Sequence, residues 1–342
     1  MFKDVTVSFS PHISRGLSTR MVMLDVIIGL TPAMAAAGYF FRIYALVLIG
    51  VCVLACVATE WLCNLIRKKP SSLGDLSAVV TGIILALSIP PSLPFWAAAV
   101  GSAFSIAIGK MVFGGLGANI FNPAMVGRAF LTASLGAMMT TWTVPVTIDG
   151  NMSRIAPDNF AIQDNIHGRT QATPLAWSKT AIKDKLGATY YSRQQFRATV
   201  WGEVGGCLGE TSAIAILIGG AYLLARRTIG FHIPMAVLLS AFAFSGIAYL
   251  IDPDAYVPPA FHLTSGGLLL GAFFIATDPV TAPLTRRGMW IFGAGVGTLT
   301  MLIRILGEYP EGVMFSILLM NSLTPLIDRA CKRIPAGGKP RV

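Results

Sequence analysis

Two threonines stand close together in the long hydrophilic interval of the chain, in the sequence Thr170-Gln171-Ala172-Thr173, with Pro174 directly after them. A threonine hydroxyl is a weak nucleophile unaided, so covalent chemistry at this position requires an external enzyme that recognises a small, exposed sequence. Threonines before a proline are also common in turns, where the hydroxyl bonds to the backbone. The residues by themselves favour a turn and leave attachment of a group as the alternative.

Seven charged residues fall within apolar stretches: Asp25, Glu60, Asp75, Lys110, Arg128, Asp278 and Arg304. A charge at the centre of a bilayer is unfavourable by about 3 kcal/mol on insertion scales, so such residues are usually paired or functional. For Arg128 the alternatives are an ion pair between helices, a side chain reaching the membrane surface, and a place near an anionic cofactor. Asp278 either caps the segment after it or, with Asn122, lines an ion pathway.

Neither the four histidines nor the five cysteines have metal-ligand spacing, and the cysteines at 52 and 56 suit packing on one helix face. No phosphate-binding loop, dinucleotide fingerprint or nucleophile elbow occurs in the sequence. We therefore predict no metal site, no catalytic residue and no soluble nucleotide site in this chain alone.

The elements that carry these residues are predicted to be membrane helices. Of 342 residues, 54% are hydrophobic and only 12% are charged, which is typical of a polytopic membrane protein. The net charge of +10 comes from short clusters between apolar runs, a pattern that argues against nucleic-acid binding. The first 20 residues lack a secretory apolar core and are interpreted as a cytoplasmic extension.

Apolar runs of about 20 residues, the length that crosses a bilayer, indicate ten spans. They are residues 21–41, 43–66, 74–90, 95–113 and 122–142, then 211–226, 232–251, 261–278, 288–307 and 311–328. Lys and Arg concentrate before the first span, after the second, sixth and eighth, and in the tail, so both termini are predicted to be cytoplasmic. The short loops on the opposite side hold Arg42, Asp252, Asp254, Glu308 and Glu311. The interval 143–210 is then periplasmic.

The two sets of five spans have opposite predicted orientations, and one stretch of each resembles the other. Residues 77–91 align without gaps with residues 266–280, pairing Gly82 with Gly271 and Pro90 with Pro279. Short spans interrupted by Gly and Pro are typical of broken helices in inverted repeats. We predict an all-α polytopic membrane protein with ten transmembrane helices in two inverted five-helix repeats with broken helices. Its segments are 1–20, 21–142, 143–210, 211–328 and 329–342.

Four blocks of sequence resemble a known family: the RnfD proteins of the Rnf ion-translocating electron-transport complex, related to the NqrB proteins of the sodium-translocating NADH:quinone oxidoreductase. The blocks are "GGLGANIFNPAMVGRAFL" (114–131), "TQATPL" (170–175), "FFIATDPVTAPLTRRG" (273–288) and "YPEGVMFSILLMNSLTPLIDR" (309–329). They occur in the family order and cover nearly the whole chain. The short segment before the first span is more similar to the Rnf proteins.

The resemblance implies a covalent cofactor. In that family a flavin transferase esterifies the second threonine of a Ser/Thr-Gly-Ala-Thr motif to the phosphate of FMN. Carried over by position, the attachment residue is Thr173, with Thr170, Gln171 and Ala172 completing the motif. Gln171 stands where the family has Gly, and His167 where it usually has Asp. Arg128 and Arg169 are then hypothesised to favour the anionic phosphate. The family also carries a riboflavin near the cytoplasmic side.

The implied function is that of an electron-carrying component, not catalytic alone, in a complex of the bacterial inner membrane. This complex moves electrons between NADH and ferredoxin while translocating Na⁺ or H⁺. The implied partners are the membrane, iron-sulfur and second FMN-bearing subunits of the complex and the flavin transferase. NADH and ferredoxin would be reached through partner subunits.

Two alternatives remain from the residues themselves. Five-plus-five inverted repeats are also the architecture of non-redox channels and secondary transporters of the urea-transporter-like fold. A third interpretation is a passive membrane scaffold for redox partners.

Overall fold

The computed structural model describes residues 18–142, 173–176, 196–202, 204–253, 255–307 and 311–332. These residues form helices and turns and contain no strand, which confirms an all-α architecture. The predicted segments 1–20, 143–210 and 329–342 lie mostly outside the described residues. In chain order the helices are α1 (Thr19–Ile66), α2 (Ser77–Leu87), α3 (Phe95–Ile106), α4 (Pro123–Ser134), α5 (Gly136–Met139), α6 (Ala213–Ala225), α7 (His232–Ile251), α8 (Pro259–Thr264), α9 (Leu268–Leu270), α10 (Arg286–Leu306) and α11 (Val313–Ala330).

Helix α1 contains two of the predicted spans. Its 48 residues are interrupted at Arg42, where φ is 57° and ψ is −149°, outside the helical region. The part from Thr19 to this break is about 34 Å long at ~1.5 Å per residue, enough to cross a bilayer. The predicted boundary between the spans 21–41 and 43–66 therefore coincides with a single residue.

Three helices of the described chain are long and apolar enough to cross a membrane: α1, α7 and α10. Shorter apolar helices lie at Ser77–Leu87, Phe95–Met111 and Ala213–Ala225. Most other predicted spans are thus shorter than expected. Helix α2 ends before the Pro90-Pro91 pair, because proline lacks the amide hydrogen that continues a helix.

The predicted span 261–278 is broken. Helix α8 ends at Thr264, Gly266 has φ of +70°, and the chain resumes as α9, which continues as a π-helical turn over Gly271–Ile275. A second π-helical turn, Ala107–Met111, extends α3. Breaks of this kind free backbone groups inside a membrane protein and occur where the backbone is buried in protein or lines a cavity.

The bundle has two ends, which we name after α1: the Thr19 end, where the helix begins, and the Arg42 end. Arg226, after α6, pairs with Asp25 near the start of α1 at 3.4 Å, which puts the end of α6 at the Thr19 end. Gly202 packs against the ring of Phe40, which puts residues 196–202 at the Arg42 end. Residues 196–202, in the last part of the long hydrophilic interval, therefore lie at the end opposite Thr19.

Glycines permit the closest helix contacts. A Cβ at Gly219 of α6 would lie 1.9 Å from the carbonyl oxygen of Gly29 in α1, and a Cβ at Gly297 of α10 would lie 2.4 Å from that of Val237 in α7. Membrane helices associate through such small residues because lipid supplies no hydrophobic drive for helix pairing.

Candidate functional site

Thr173 begins a helical turn formed by residues 174–176. Its side chain is buried, with 4% exposure, and Oγ1 accepts a hydrogen bond of 3.0 Å from the Ala176 amide. The hydroxyl therefore caps a turn, as the residue pattern favoured. Thr170, Gln171 and Ala172 lie outside the described residues, as do His167 and Arg169.

The turn docks onto the helical body through Leu175, which is 3% exposed. A Cβ at Gly266 would lie 2.8 Å from Leu175 Cδ1, 2.9 Å from a terminal nitrogen of Arg304 and 3.6 Å from Glu311 Oε1. Glycine is required there by this crowding and by its positive φ. The contact brings the Thr173 turn beside a group of buried ionisable side chains. We call this group the outer cluster, and it consists of Arg128, Cys207, Glu210, Arg304 and Glu311.

Arg128 joins the two halves of the chain within the outer cluster. Its guanidinium donates to Glu311 Oε2 and, over 3.5 Å, to Cys207 Sγ, and it lies 3.8 Å from Glu210 Oε1. The ion pair between helices that the sequence allowed for Arg128 is thus present. Its partners precede α6 and α11, so this one side chain fixes both later segments to α4.

Arg304 is the second arginine of the outer cluster. Its terminal nitrogens donate to the carbonyl oxygens of His262 at 2.7 Å and Ser265 at 3.1 Å, at the break between α8 and α9. The side chain is 3% exposed, and its Nε has no hydrogen-bond partner among the described residues. A buried guanidinium with an unused donor suits a further acceptor or an anion.

Glu210 and Glu311 are buried more deeply than the sequence suggested. Glu311 was expected in a short outer loop, yet its side chain is only 13% exposed, and that of Glu210 is 4% exposed. Glu210 ends a 3₁₀ turn, Leu208–Glu210, and accepts the Cys207 amide at 3.4 Å. The Gly-rich sequence before Glu210 was the signal that could have indicated this burial. Glycine allows close packing there, because a Cβ at Gly209 would lie 2.8 Å from Leu87 Cβ.

Asn122 and Asp278, predicted separately as ion-pathway residues, line one cavity. Asn122 caps α4, accepting the Ala124 amide at 3.1 Å, and its side-chain nitrogen is 3.5 Å from the Ile275 carbonyl oxygen. Asp278 accepts the Val280 amide and the Thr281 hydroxyl, each at 3.2 Å. The capping that the sequence allowed for Asp278 is present, and the Asn122 cap is one that the sequence analysis did not predict. We call this space the central cavity; its lining includes Val26, Ser77, Thr81, Ile84, Lys110, Asn119, Phe273 and Phe274.

A buried ion pair adjoins the central cavity, and the sequence analysis had not predicted that its two residues meet. Lys110 donates to both oxygens of Glu60 at 2.8 Å and to Ser77 at 2.6 Å, with side-chain exposures of 1% for Lys110 and 0% for Glu60. Ser72 donates to Glu60 at 2.5 Å. Ser72 also lines a second cavity of about 340 Å³ at the Thr19 end, so the pair lies between two cavities.

Comparison with known proteins identifies the family. The sequence model of the family described as "NQR2, RnfD, RnfE family" matches residues 6–337. The chain belongs to this family. One member, from the Na⁺-translocating ferredoxin:NAD⁺ oxidoreductase complex of Acetobacterium woodii, is 44% identical, over 96% of this chain and 94% of that protein.

Other members of the NQR2, RnfD, RnfE family are similar over the same extent. The corresponding component of the proton-translocating ferredoxin:NAD⁺ oxidoreductase complex of Clostridium ljungdahlii is 40% identical, over 97% of this chain and 96% of that protein. That of the ion-translocating oxidoreductase complex of Stutzerimonas stutzeri is 41% identical, over 95% of each chain. The resemblance to the RnfD proteins is thereby confirmed.

Proposed function

We propose that this chain is the RnfD membrane component of an ion-translocating ferredoxin:NAD⁺ oxidoreductase complex and carries electrons through FMN esterified to Thr173. The near full-length similarity to components of complexes with these names supports the assignment. Other subunits of that complex are then its partners, including an iron-sulfur and a second FMN-bearing subunit. NADH and ferredoxin react at those partners, and the chain is not catalytic alone.

The residues around Thr173 suit the phosphate of FMN. Arg304 retains a buried donor without a partner among the described residues, and Leu175 docks the turn close to that guanidinium. Thr173 would hold the flavin through the ester, while Arg304 and Arg128 offset the negative charge of the phosphate. The flavin supplies the electron transfer, and the protein supplies its position and electrostatic environment.

Attachment requires a phosphoryl transfer by the flavin transferase. Thr173 Oγ1 forms the bond to the FMN phosphorus, the hydroxyl proton is removed, and the anhydride bond of a flavin dinucleotide breaks with loss of a nucleoside monophosphate. Because the hydroxyl is buried and caps the turn, the transferase must act on a state in which residues 173–176 are undocked.

The central cavity is our proposed location for the riboflavin that the family resemblance implies. Its wall combines the aromatic rings of Phe273 and Phe274 with the amides of Asn119 and Asn122 and the Thr81 hydroxyl. Apolar walls with a few convergent polar groups are typical of small-molecule sites. Asp278 and Asn122 remain our candidates for the ion pathway at the same place.

We further propose ten spans in two inverted repeats within the bacterial inner membrane, with cytoplasmic termini and a periplasmic interval 143–210. The break at Arg42 and the broken segment 259–275 support this arrangement. The basic clusters Arg67-Lys68-Lys69 and Arg226-Arg227 would then lie on the cytoplasmic side, in agreement with the positive-inside rule.

The substitution Thr173→Ala tests the proposal. We expect the wild-type chain to fluoresce on a denaturing gel under ultraviolet light and the variant to be dark, since no other hydroxyl receives the flavin. Thr199→Ala removes another buried threonine hydroxyl and should leave fluorescence unchanged. A dark wild-type chain produced with the transferase would instead favour a non-redox channel or transporter. Unchanged activity of the complex in a flavin-free variant would favour a scaffold.

A further inference from the structure

Glu210 and Glu311 approach each other inside the outer cluster. One oxygen of each lies within 4.8 Å of the other and of Cys207 Sγ. Within the described residues, Oε1 of Glu210 and Oε1 of Glu311 are both buried without a hydrogen-bond partner.

An ionised carboxylate accepts hydrogen bonds and donates none, so the two carboxylates can bond to each other only if one of them holds a proton. Two negative charges sharing a buried site also repel, and one group then stays protonated. A single proton converts one glutamate into a donor and the other into its acceptor, so it satisfies oxygens that are otherwise unpaired. A buried oxygen without a hydrogen-bond partner is unfavourable, because it has lost its bonds to water.

The surrounding charges favour a proton over a divalent metal ion. Arg128 of α4 and Arg304 of α10 face the carboxyl pair, and among the residues that the structure describes the other titratable groups nearby are Cys207 and His262 of α8. With both glutamates ionised, the two arginines already balance them. A shared proton adds one positive charge to this buried group, whereas a divalent metal ion adds two.

We propose that Glu210 and Glu311 form a proton-binding site that holds one shared proton. The site lies beside the Thr173 turn, because Gly266 contacts Leu175, Arg304 and Glu311 together. Resting on the proposed function, the proton is bound more tightly when the flavin on Thr173 is reduced and carries more negative charge. It is released when the flavin is oxidised. Proton binding in the outer cluster is thereby coupled to reduction of the flavin. Both take place at the end of the molecule farthest from Thr19.

Infrared difference spectroscopy of the full chain in lipid nanodiscs tests the site. The acid-minus-base spectrum of the wild type should contain the carbonyl band of a protonated carboxyl group. Glu210→Gln keeps the shape and lets its amide donate to Glu311, so the variant should fold and lose this band. Asp328→Asn is the matched control, since Asp328 accepts the Leu284 amide outside the cluster, and it should keep the band.

Two results would overturn the proposal: a wild-type spectrum without a protonated carboxyl, or a band retained in both Glu210→Gln and Glu311→Gln. The second variant also covers a failure of the first to fold. Loss of the band on adding Zn²⁺ or Na⁺ at neutral pH would identify a metal site instead. These spectra need no flavin, so they hold even if Thr173 is unmodified. The reduced-minus-oxidised spectrum then tests the link, and a carboxyl band unaffected by flavin reduction would contradict it.

Discussion

Under the proposed function, Thr173 would serve two purposes at different times. Its hydroxyl caps a turn in the folded chain, at 3.0 Å from the Ala176 amide, yet the proposed ester uses the same oxygen. An ester oxygen is a poorer acceptor and carries a bulky group, so the capped and the modified turn cannot be identical. Docking of Leu175 would therefore distinguish a closed state from an undocked state that the proposed transferase could modify.

Replacing Leu175 by Ser should speed modification of the folded chain. The substitution removes the apolar contact at Gly266, so the turn is undocked for a larger fraction of the time. We expect several-fold faster incorporation when purified chain, transferase and flavin dinucleotide are mixed, measured as in-gel fluorescence over time. Leu217→Ser, an exposed leucine of α6, is the control. Equal rates in the wild type and both variants would show that docking does not limit access.

At the scale of elements, a fully buried ion pair between Lys110 and Glu60 connects the π-helical turn that extends α3 to α1. Lys110 donates to both oxygens of Glu60 and to Ser77 at the start of α2, so one ammonium group uses all three donors on two neighbouring helices. Such a pair contributes little net stability compared with apolar residues, but removal of one partner leaves an unpaired buried charge.

Lys110→Met should therefore destabilise the chain by roughly 3–5 kcal/mol, the usual effect of an orphaned buried charge. Glu60→Gln in the same chain should restore much of this loss, because the remaining amide is neutral. Thermal unfolding in one detergent gives the comparison among the single variants, the double variant and the wild type. Additive losses in the double variant would mean that the two groups do not depend on each other.

The elements also show what sequence could and could not predict. Apolar run length located the boundary at Arg42, and the Gly and Pro positions located the broken segment near Gly266. The pairing of Arg128 with Glu311, and of Lys110 with Glu60, depends on which helices meet in the fold, and periodicity within one helix holds no such information. Glu311 was placed in solvent because a polar loop of a few residues looks exposed unless its neighbours are known.

At the scale of the whole molecule, the two ends carry different chemistry. The Thr19 end has a cavity beside Glu60 and Lys110, and the Arg42 end has the Thr173 turn and the outer cluster. The central cavity, which contains Asn122 and Asp278 in its wall, is lined by residues from both halves of the chain. The relative from a Na⁺-translocating complex is 44% identical to the chain, and the relative from a proton-translocating complex is 40% identical. Overall sequence similarity therefore does not indicate which ion is translocated.

A reporter that is active only outside the cytosol tests the proposed orientation. Fused within residues 150–200, alkaline phosphatase should be active, and fused after residue 335 it should be inactive, because the two positions lie on opposite sides of the membrane. A green fluorescent protein at the same positions should give the reverse pattern. Cytosolic location of the first fusion would remove Thr173 from the periplasm and contradict the proposed function.

The crossing of α1 and α6 has a consequence for motion within the membrane. With no space for even a methyl group between Gly219 and the carbonyl oxygen of Gly29, backbone touches backbone at this point. No side chain separates the two helices here, so we expect α1 and α6 to stay in contact at this point when other parts of the bundle move. The short, interrupted helices are then our candidates for motion during ion transport, and Gly219→Ala should push α1 and α6 apart, because its Cβ would lie 1.9 Å from the Gly29 oxygen.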